Sequence, residues 1–357
     1  MNIACLISSL RLGGAERQML ALASGLQSAG HKVTLITYHK EIFFEEELRA
    51  KNLEMVYVPK KNLLQWCLGC TRVLKQNNCE VLISFCAGTN LKACLLTRFG
   101  WKGRLIVSER NCNLHFRLHD RLRFLAYTRA DAVVCNSHSQ EEFIRRHFPA
   151  LNDRLCTITN AVDLDYFHPR SSAVRQPARK RAKILVTARF CKRKNAIGLI
   201  KAAAILKKRG IPIYVEWYGL QREDEYCKKC RELISKTGLS DDFLILPAAH
   251  NVVELYHDAD IFCLPSFYEG TPNSLAEALA CGLPVVCSDV SDNSLYVSEG
   301  ENGFTFNPEK PSDIADTLTK ILAIPGNELL QFGECSRRIA EEKLSGKPFI
   351  SSYLGIL

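Results

Sequence analysis

Short apolar runs alternate with longer amphipathic stretches along the chain, and this alternation restricts the fold more than any other feature. Residues 2–8 are a continuous apolar run, the kind that a strand buried on both faces requires. In the next stretch, SLRLGGAERQMLALASGLQSAG, Gly13 and Gly14 open a helix. Met19, Leu22, Ala23 and Leu26 keep the helical period, and Gly30 closes the helix before a strand at 32–37. Strand, glycine-rich turn, helix and strand make a βαβ unit, whose glycines let backbone approach a ligand at the helix N-terminus. Further strands are expected at 54–59, 81–85, 105–108 and 132–136, with helices between them. The pattern implies a parallel, doubly wound sheet with its active residues at the carboxyl ends of the strands.

The alternation pauses at residues 170–183, RSSAVRQPARKRAK, which are basic, contain Ser and Pro, and lack periodicity, as a linker does. It resumes with strands expected at 183–188, 213–218, 243–246 and 285–287 and a helix at 312–324. The end of the chain reads as helical with a break near Pro348. At 357 residues the chain is long for one core. Two domains are expected, at 1–168 and 183–335, with a linker at 169–182 and a final helical segment at 336–357.

No apolar run reaches the ~20 residues of a membrane span. The N-terminus lacks a basic n-region and a cleavage site, and reads as a strand. Sixteen cysteines lie in apolar strands and helices, which suggests reduced thiols and a cytoplasmic location. The pairs Cys67/Cys70 and Cys227/Cys230 have half-site zinc spacing, but each falls in a helical segment and reads as structural. Residues 1–181 carry a net charge of +12 and the remainder −3. The basic half suits an anionic partner such as a membrane surface, a phospholipid or a diphosphate acceptor. Nucleic acid would be the rival, but no motif for it is present. Residues 115–129, HFRLHDRLRFLAYTR, fit either a basic amphipathic helix on a membrane or a surface helix with one buried stripe.

The densest signal is residues 265–284, PSFYEGTPNSLAEALACGLP. Glu269 precedes a turn of Gly270, Thr271 and Pro272, then Asn273 or Ser274 is expected to cap a helix that stops at Gly282. Glu277 lies in the first turns of that helix, eight positions after Glu269. Turn amides and a positive helix end between two carboxylates suit a phosphate or a sugar hydroxyl.

This stretch resembles the signature of the family 4 retaining glycosyltransferases, Glu-Gly-x-Pro, a second Glu, then Ala-x-Gly-x-Pro-Val. The resemblance implies the GT-B arrangement: two Rossmann-like α/β domains facing a central cleft, with the C-terminal helix crossing back to the first domain. It implies that Glu269 faces the donor sugar and that Glu277 holds the ribose hydroxyls. It also implies that the turn of Gly270, Thr271, Pro272, Asn273 and Ser274 between them binds the donor, its free amides serving the sugar and the phosphates. Gly13, Gly14 and Glu16 resemble the family's Gly-Gly-Ala-Glu-Arg segment, with the glycines facing the donor. Arg189 and Lys194 resemble the pair that grips the donor diphosphate, and Gly219 ends the next strand. Backbone groups near residues 247–251 would read the nucleobase. Ser108-Glu109-Arg110-Asn111 resembles a box in enzymes that build bacterial surface polysaccharides. Glu109, Arg110 and Asn111, with His115 beyond, are the acceptor-side candidates, although an exposed loop is the commoner setting for His115 and His119. The sequence ITNAVDLDYFHP resembles the segment that ends the family's first domain, which accounts for Asp163-x-Asp165 without a metal.

The resulting expectation is retaining transfer of a hexose or N-acetylhexosamine, from a nucleotide sugar (a UDP-sugar by preference) to a glycan or polyprenyl-diphosphate-linked acceptor. No metal and no cofactor beyond the donor are implied. The enzyme would be cytoplasmic and peripheral on the inner face of the membrane, where anionic lipid is its surface partner. Two other classes stay open: a sugar-nucleotide epimerase of the same fold, and a silent binding subunit of a polysaccharide assembly. Turnover of a UDP-sugar without acceptor would mark the first; the presence of both glutamates and both cations argues against the second.

Overall fold

The computed structural model describes residues 1–60, 62–112, 115–170, 181–249 and 251–357. Met1–Ala161 and Gly346–Leu357 form one α/β unit, and Val162–Ser345 form another. The expected linker 169–182 lies mostly outside the described residues.

In the first unit the described strands are β1 (Asn2–Leu6), β2 (Lys32–Thr37), β3 (Glu54–Tyr57), β4 (Val81–Phe85), β5 (Arg104–Glu109), β6 (Ala132–Cys135) and β7 (Leu155–Thr157). They pair in parallel in the order β3-β2-β1-β4-β5-β6-β7. The helices are α1 (Gly14–Ser28), α2 (Glu45–Ala50), α3 (Leu63–Gln76), α4 (Ala87–Leu96), α5 (Leu118–Tyr127) and α6 (His138–His147). Alternate residues of β1 feed opposite faces of the sheet. Ala4 and Leu6 join a core with Trp66, Phe124 and Ile144, while Ile3 and Cys5 join one with Met19, Leu22 and Leu26. Asn62 and Ser137 cap α3 and α6 by accepting from the amides of Gln65 and Gln140.

The second unit repeats the plan with β8 (Ala182–Thr187), β9 (Ile213–Tyr218), β10 (Phe243–Leu246), β11 (Ile261–Leu264), β12 (Val285–Ser288) and β13 (Gly303–Phe306). Their order is β10-β9-β8-β11-β12-β13, again parallel. Its helices are α7 (Ala196–Lys208), α8 (Glu225–Lys236), α9 (Val252–His257), α10 (Asn273–Ala280), α11 (Pro311–Leu322) and α12 (Gly326–Lys343). The last helix, α13 (Gly346–Leu354), belongs to the first unit, where Phe349 and Tyr353 are buried.

Three boundaries differ from expectation. The first unit stops at Ala161 rather than 168, because Val162 and Phe167 pack into the second unit's core. The C-terminal segment divides at Ser345/Gly346, since Ile339 and Ala340 of α12 also pack in that core. Pro348 lies inside the first turn of α13, where its missing N–H costs nothing, so the helical break falls at Leu344 and Ser345 instead. Cys67/Cys70 and Cys227/Cys230 are buried on α3 and α8. Among the described residues no helix is long and apolar enough to cross a membrane.

Candidate active site

Strand order decides which loops meet. In the second unit the order reverses between β8 and β11, and ligands in such sheets bind where the order reverses, at the strand C-termini. The loop after β8 carries Arg189 and Lys194; the loop after β11 carries Glu269. The Lys194 ammonium is paired there with the Glu269 carboxylate, and the two residues lie 75 positions apart in sequence. Arg193 Nη1 lies 3.9 Å from the other carboxylate oxygen, and the Phe267 amide donates to the Arg193 carbonyl at 2.9 Å. Burial would raise the Glu269 pKa, but Lys194, then Arg193 and hydrogen bonds, hold it below the usual carboxyl range. Arg189 is exposed at the strand end.

Two residues beside this pair occupy the left-handed region, which is rare without glycine. Asn195, at φ 59°, caps α7 through the Gly198 amide, and Ser291, at φ 52°, accepts from the Glu269 amide at 3.3 Å. Such conformations cost on the order of 1–3 kcal/mol each and collect at functional sites.

Glu277 is buried on α10. Its Oε2 accepts from the Tyr256 hydroxyl at 2.7 Å, and the Tyr256 oxygen lies 2.7 Å from the Thr187 hydroxyl at the end of β8. Burial, then the Glu277 carboxylate, pushes the Tyr256 phenol far above its ordinary range, so it stays a donor. The structure corrects the expected cap of α10. The N-cap is Pro272, and no side chain caps the helix, because Asn273 and Ser274 already lie at its first two positions. At the other end Gly282 turns with φ 72°, and Arg337 of α12 donates to the Ala280 carbonyl at 2.9 Å. Gly219 ends β9 where a Cβ would lie 1.9 Å from the Ala188 carbonyl oxygen, so only glycine fits there. Gly270 and Thr271 are buried in the turn.

In the first unit the order reverses between β1 and β4, which places the Gly13–Gly14 turn at the analogous position. Glu16 folds back over Gly13, and its Oε1 lies 3.7 Å from Arg11. Glu109 is fully enclosed: the Tyr127 hydroxyl donates to it, and Arg123 Nε lies 3.7 Å away. Burial raises its pKa. Arg110 stacks on the Phe85 ring at 4.4 Å and donates to Ser108 and Asn160. In this conformation Glu109 and Arg110 hold the strand end in place, while Asn111 and His115 are exposed. Asp163 accepts from the amides of Asp165 and Tyr166, a local turn. Of the expected 247–251 segment, residue 250 lies outside the described residues.

Residues 12–166 match the sequence model "Glycosyltransferase Family 4", and residues 169–339 match "Glycosyl transferases group 1". The chain belongs to the family 4 glycosyltransferases. It is 28% identical over 293 residues, spanning 78% of this chain and 77% of the relative, to a Campylobacter jejuni alpha-1,4-N-acetyl-D-galactosaminyltransferase. That enzyme is named for extending GalNAc-alpha-(1->4)-GalNAc-alpha-(1->3)-diNAcBac-PP-undecaprenol. A second C. jejuni relative, named for 4-alpha-N-acetylgalactosaminyl transfer on a diphospho-undecaprenol saccharide, is 27% identical over 299 residues, covering 79% of each chain. Anabaena HepE, solved in complex with UDP, shares the GT-B fold at a TM-score of 0.85 and 17% identity, covering 99% of both chains.

In this glycosyltransferase the structure brings Lys194 and Glu269 into contact and gives Glu277 its own hydrogen-bonded support. Three site residues escaped the sequence reading. Arg193, Tyr256 and Thr187 belong to no motif that the sequence singles out. Only the adjacency of β8 and β11 brings them to the two glutamates. The cluster offers cations and the N-terminal end of α10 to an anionic group, and carboxylates to hydroxyls.

Proposed function

We propose that this glycosyltransferase moves a hexose or N-acetylhexosamine, with retention of configuration, from a UDP-sugar to a glycan on a polyprenyl diphosphate. The donor binds the second unit and the acceptor the basic first unit. The observation that carries the reading is the buried Lys194–Glu269 pair beside the start of α10, with Glu277 farther along the helix. HepE, solved with UDP, supports the choice of nucleotide, and the undecaprenol-linked acceptors of the two C. jejuni relatives support the lipid-linked acceptor.

Transfer proceeds on one face of the sugar. The acceptor hydroxyl oxygen bonds to the anomeric carbon as the bond to the β-phosphate oxygen breaks, and the acceptor proton passes to the departing phosphate. Lys194, Arg189 and the α10 amides stabilise the charge that grows there. Glu269 orients the sugar, and Glu277 accepts from the ribose hydroxyls. Cationic side chains carry the diphosphate without a metal. The enzyme works at an anionic membrane on the cytoplasmic side, where the first unit's basic character concentrates it near its acceptor.

A thermal-shift panel of nucleotide sugars tests the donor, because a ligand that binds only the folded state raises Tm. The expected result is stabilisation by UDP and UDP-sugars above all others, with turnover surviving EDTA. Loss of activity restored by magnesium or manganese would contradict the metal-independent reading, and turnover of donor without acceptor would favour an epimerase.

A further inference from the structure

The helices α3, α4 and α5 cover one face of the first unit's sheet, and their inward residues Trp66, Cys70, Ala93, Phe124 and Tyr127 fill a single core. Their outward side is unusual. On α5, Leu118, Leu122 and Leu125 are 74%, 61% and 57% exposed and share one helical stripe with Arg121. On α3, Leu64 and Leu68 are also more than half exposed and continue a stripe through Arg72 and Lys75. Leu63 opens the same helix, and Leu91 is exposed on α4 between the two. Leucine favours helix but gains nothing from water, so a face of this kind on three neighbouring helices calls for a partner.

Charge selects the partner. On α3, α4 and α5 every exposed Asp, Glu, Lys or Arg is a Lys or Arg. The sole carboxylate, Asp120, is buried against Arg123 Nη2 at 2.9 Å. Leucines flanked by arginine and lysine, with no exposed carboxylate, complement an anionic lipid headgroup layer and the acyl boundary beneath it. Parallel βα connections also start these helices at the strand C-termini, so Leu63, Leu64 and Leu118 lie at the end of the sheet that holds Ser108–Asn111.

We propose that the outer face of α3, α4 and α5 is a lipid-insertion surface, with the leucines entering the headgroup–acyl boundary and Arg72, Lys75, Arg117 and Arg121 on anionic headgroups. This rests on the peripheral-membrane reading above and goes beyond it, since attachment then depends on apolar insertion as well as charge. Arg123 takes no part, because it is spent on Asp120 and Glu109.

The test is flotation of the full chain with vesicles of phosphatidylcholine alone and of phosphatidylcholine mixed with phosphatidylglycerol, at low and high salt. Two variants are compared with wild type: L64Q/L68Q and L118Q/L122Q/L125Q. Wild type should bind the mixed vesicles and keep a salt-resistant fraction. Each variant should lose that fraction, with partitioning falling roughly tenfold or more, since every buried leucine contributes to it. Being surface changes, they should melt like wild type and bind UDP equally well. Complete release of wild type by salt, with both variants binding as it does, would overturn the proposal. So would a wild-type dimer that the variants convert to monomer, because the face would then belong to a second copy. Absence of UDP binding in all three proteins would instead refute the donor reading and leave the vesicle result to be judged by itself.

Discussion

At the residue scale, the Glu269–Lys194 pair has a pH signature. The folded pKa of Glu269 lies below its ordinary 4.5, so its stabilisation is complete above that value and is lost as pH falls through the folded value. Melting followed through the acid range should therefore show a shallower loss of Tm for Glu269→Gln than for wild type; equal slopes would mean the pair contributes nothing. Lys194→Ala should reduce kcat on the order of 10²-fold while nucleotide affinity changes less, because leaving-group charge grows only as the bond breaks. Near-normal turnover would remove Lys194 from the mechanism. Glu277→Ala should weaken UDP binding by ~1.5–3 kcal/mol in calorimetry, the worth of a charge-assisted hydrogen bond. Tyr256→Phe, which keeps the ring and loses only the hydroxyl that holds Glu277, should raise donor KM by a smaller factor with kcat little changed. The Lys194–Glu269 contact, across 75 positions, was not legible, whereas Glu269 and Glu277 within one motif, and Lys194 in a short loop with Arg189, were legible as separate candidates. Arg193 and Tyr256 were not, since what they touch depends on which strands are neighbours.

Elements were easier to read than their ends. The strands at 32–37, 81–85, 213–218 and 243–246 fall where the apolar runs place them, the first two almost wholly buried and the edge strand β10 half-buried. Helix starts were harder. The α10 start moved by one residue because Pro272 takes the N-cap. The 115–129 segment offered two readings; α5 has the buried stripe of a surface helix, Phe124 and Tyr127, and carries three exposed leucines besides. The chain's return to the first unit has its own consequence. Tyr353 on α13 is fully buried, 5.2 Å from the Phe349 ring and 6.4 Å from the Phe85 ring. Tyr353→Ala should destabilise the first unit by about 3–5 kcal/mol, as large-to-small aromatic changes in cores do. Urea unfolding checks this, and a loss under 1 kcal/mol would mean α13 is only loosely held.

At the scale of the whole molecule, two α/β units share one plan, and charge sets them apart. The first unit's part of the chain is strongly basic and the second's slightly acidic. The architecture itself was readable from the alternation of strands and helices, its pause at residues 170–183 and the resemblance carried by residues 265–284. The acceptor was not readable in the same way, because Glu109 and Arg110 of the strand-end box turn inward to Tyr127, Phe85 and Asn160. The chemistry itself is decided by the anomeric configuration of the product. UDP-linked hexoses and N-acetylhexosamines of α configuration, incubated with a saccharide on polyprenyl diphosphate and followed by proton NMR, should yield one α-linked product and UDP, with EDTA present throughout. A β-linked product, or an altered UDP-sugar formed without acceptor, would contradict retaining transfer.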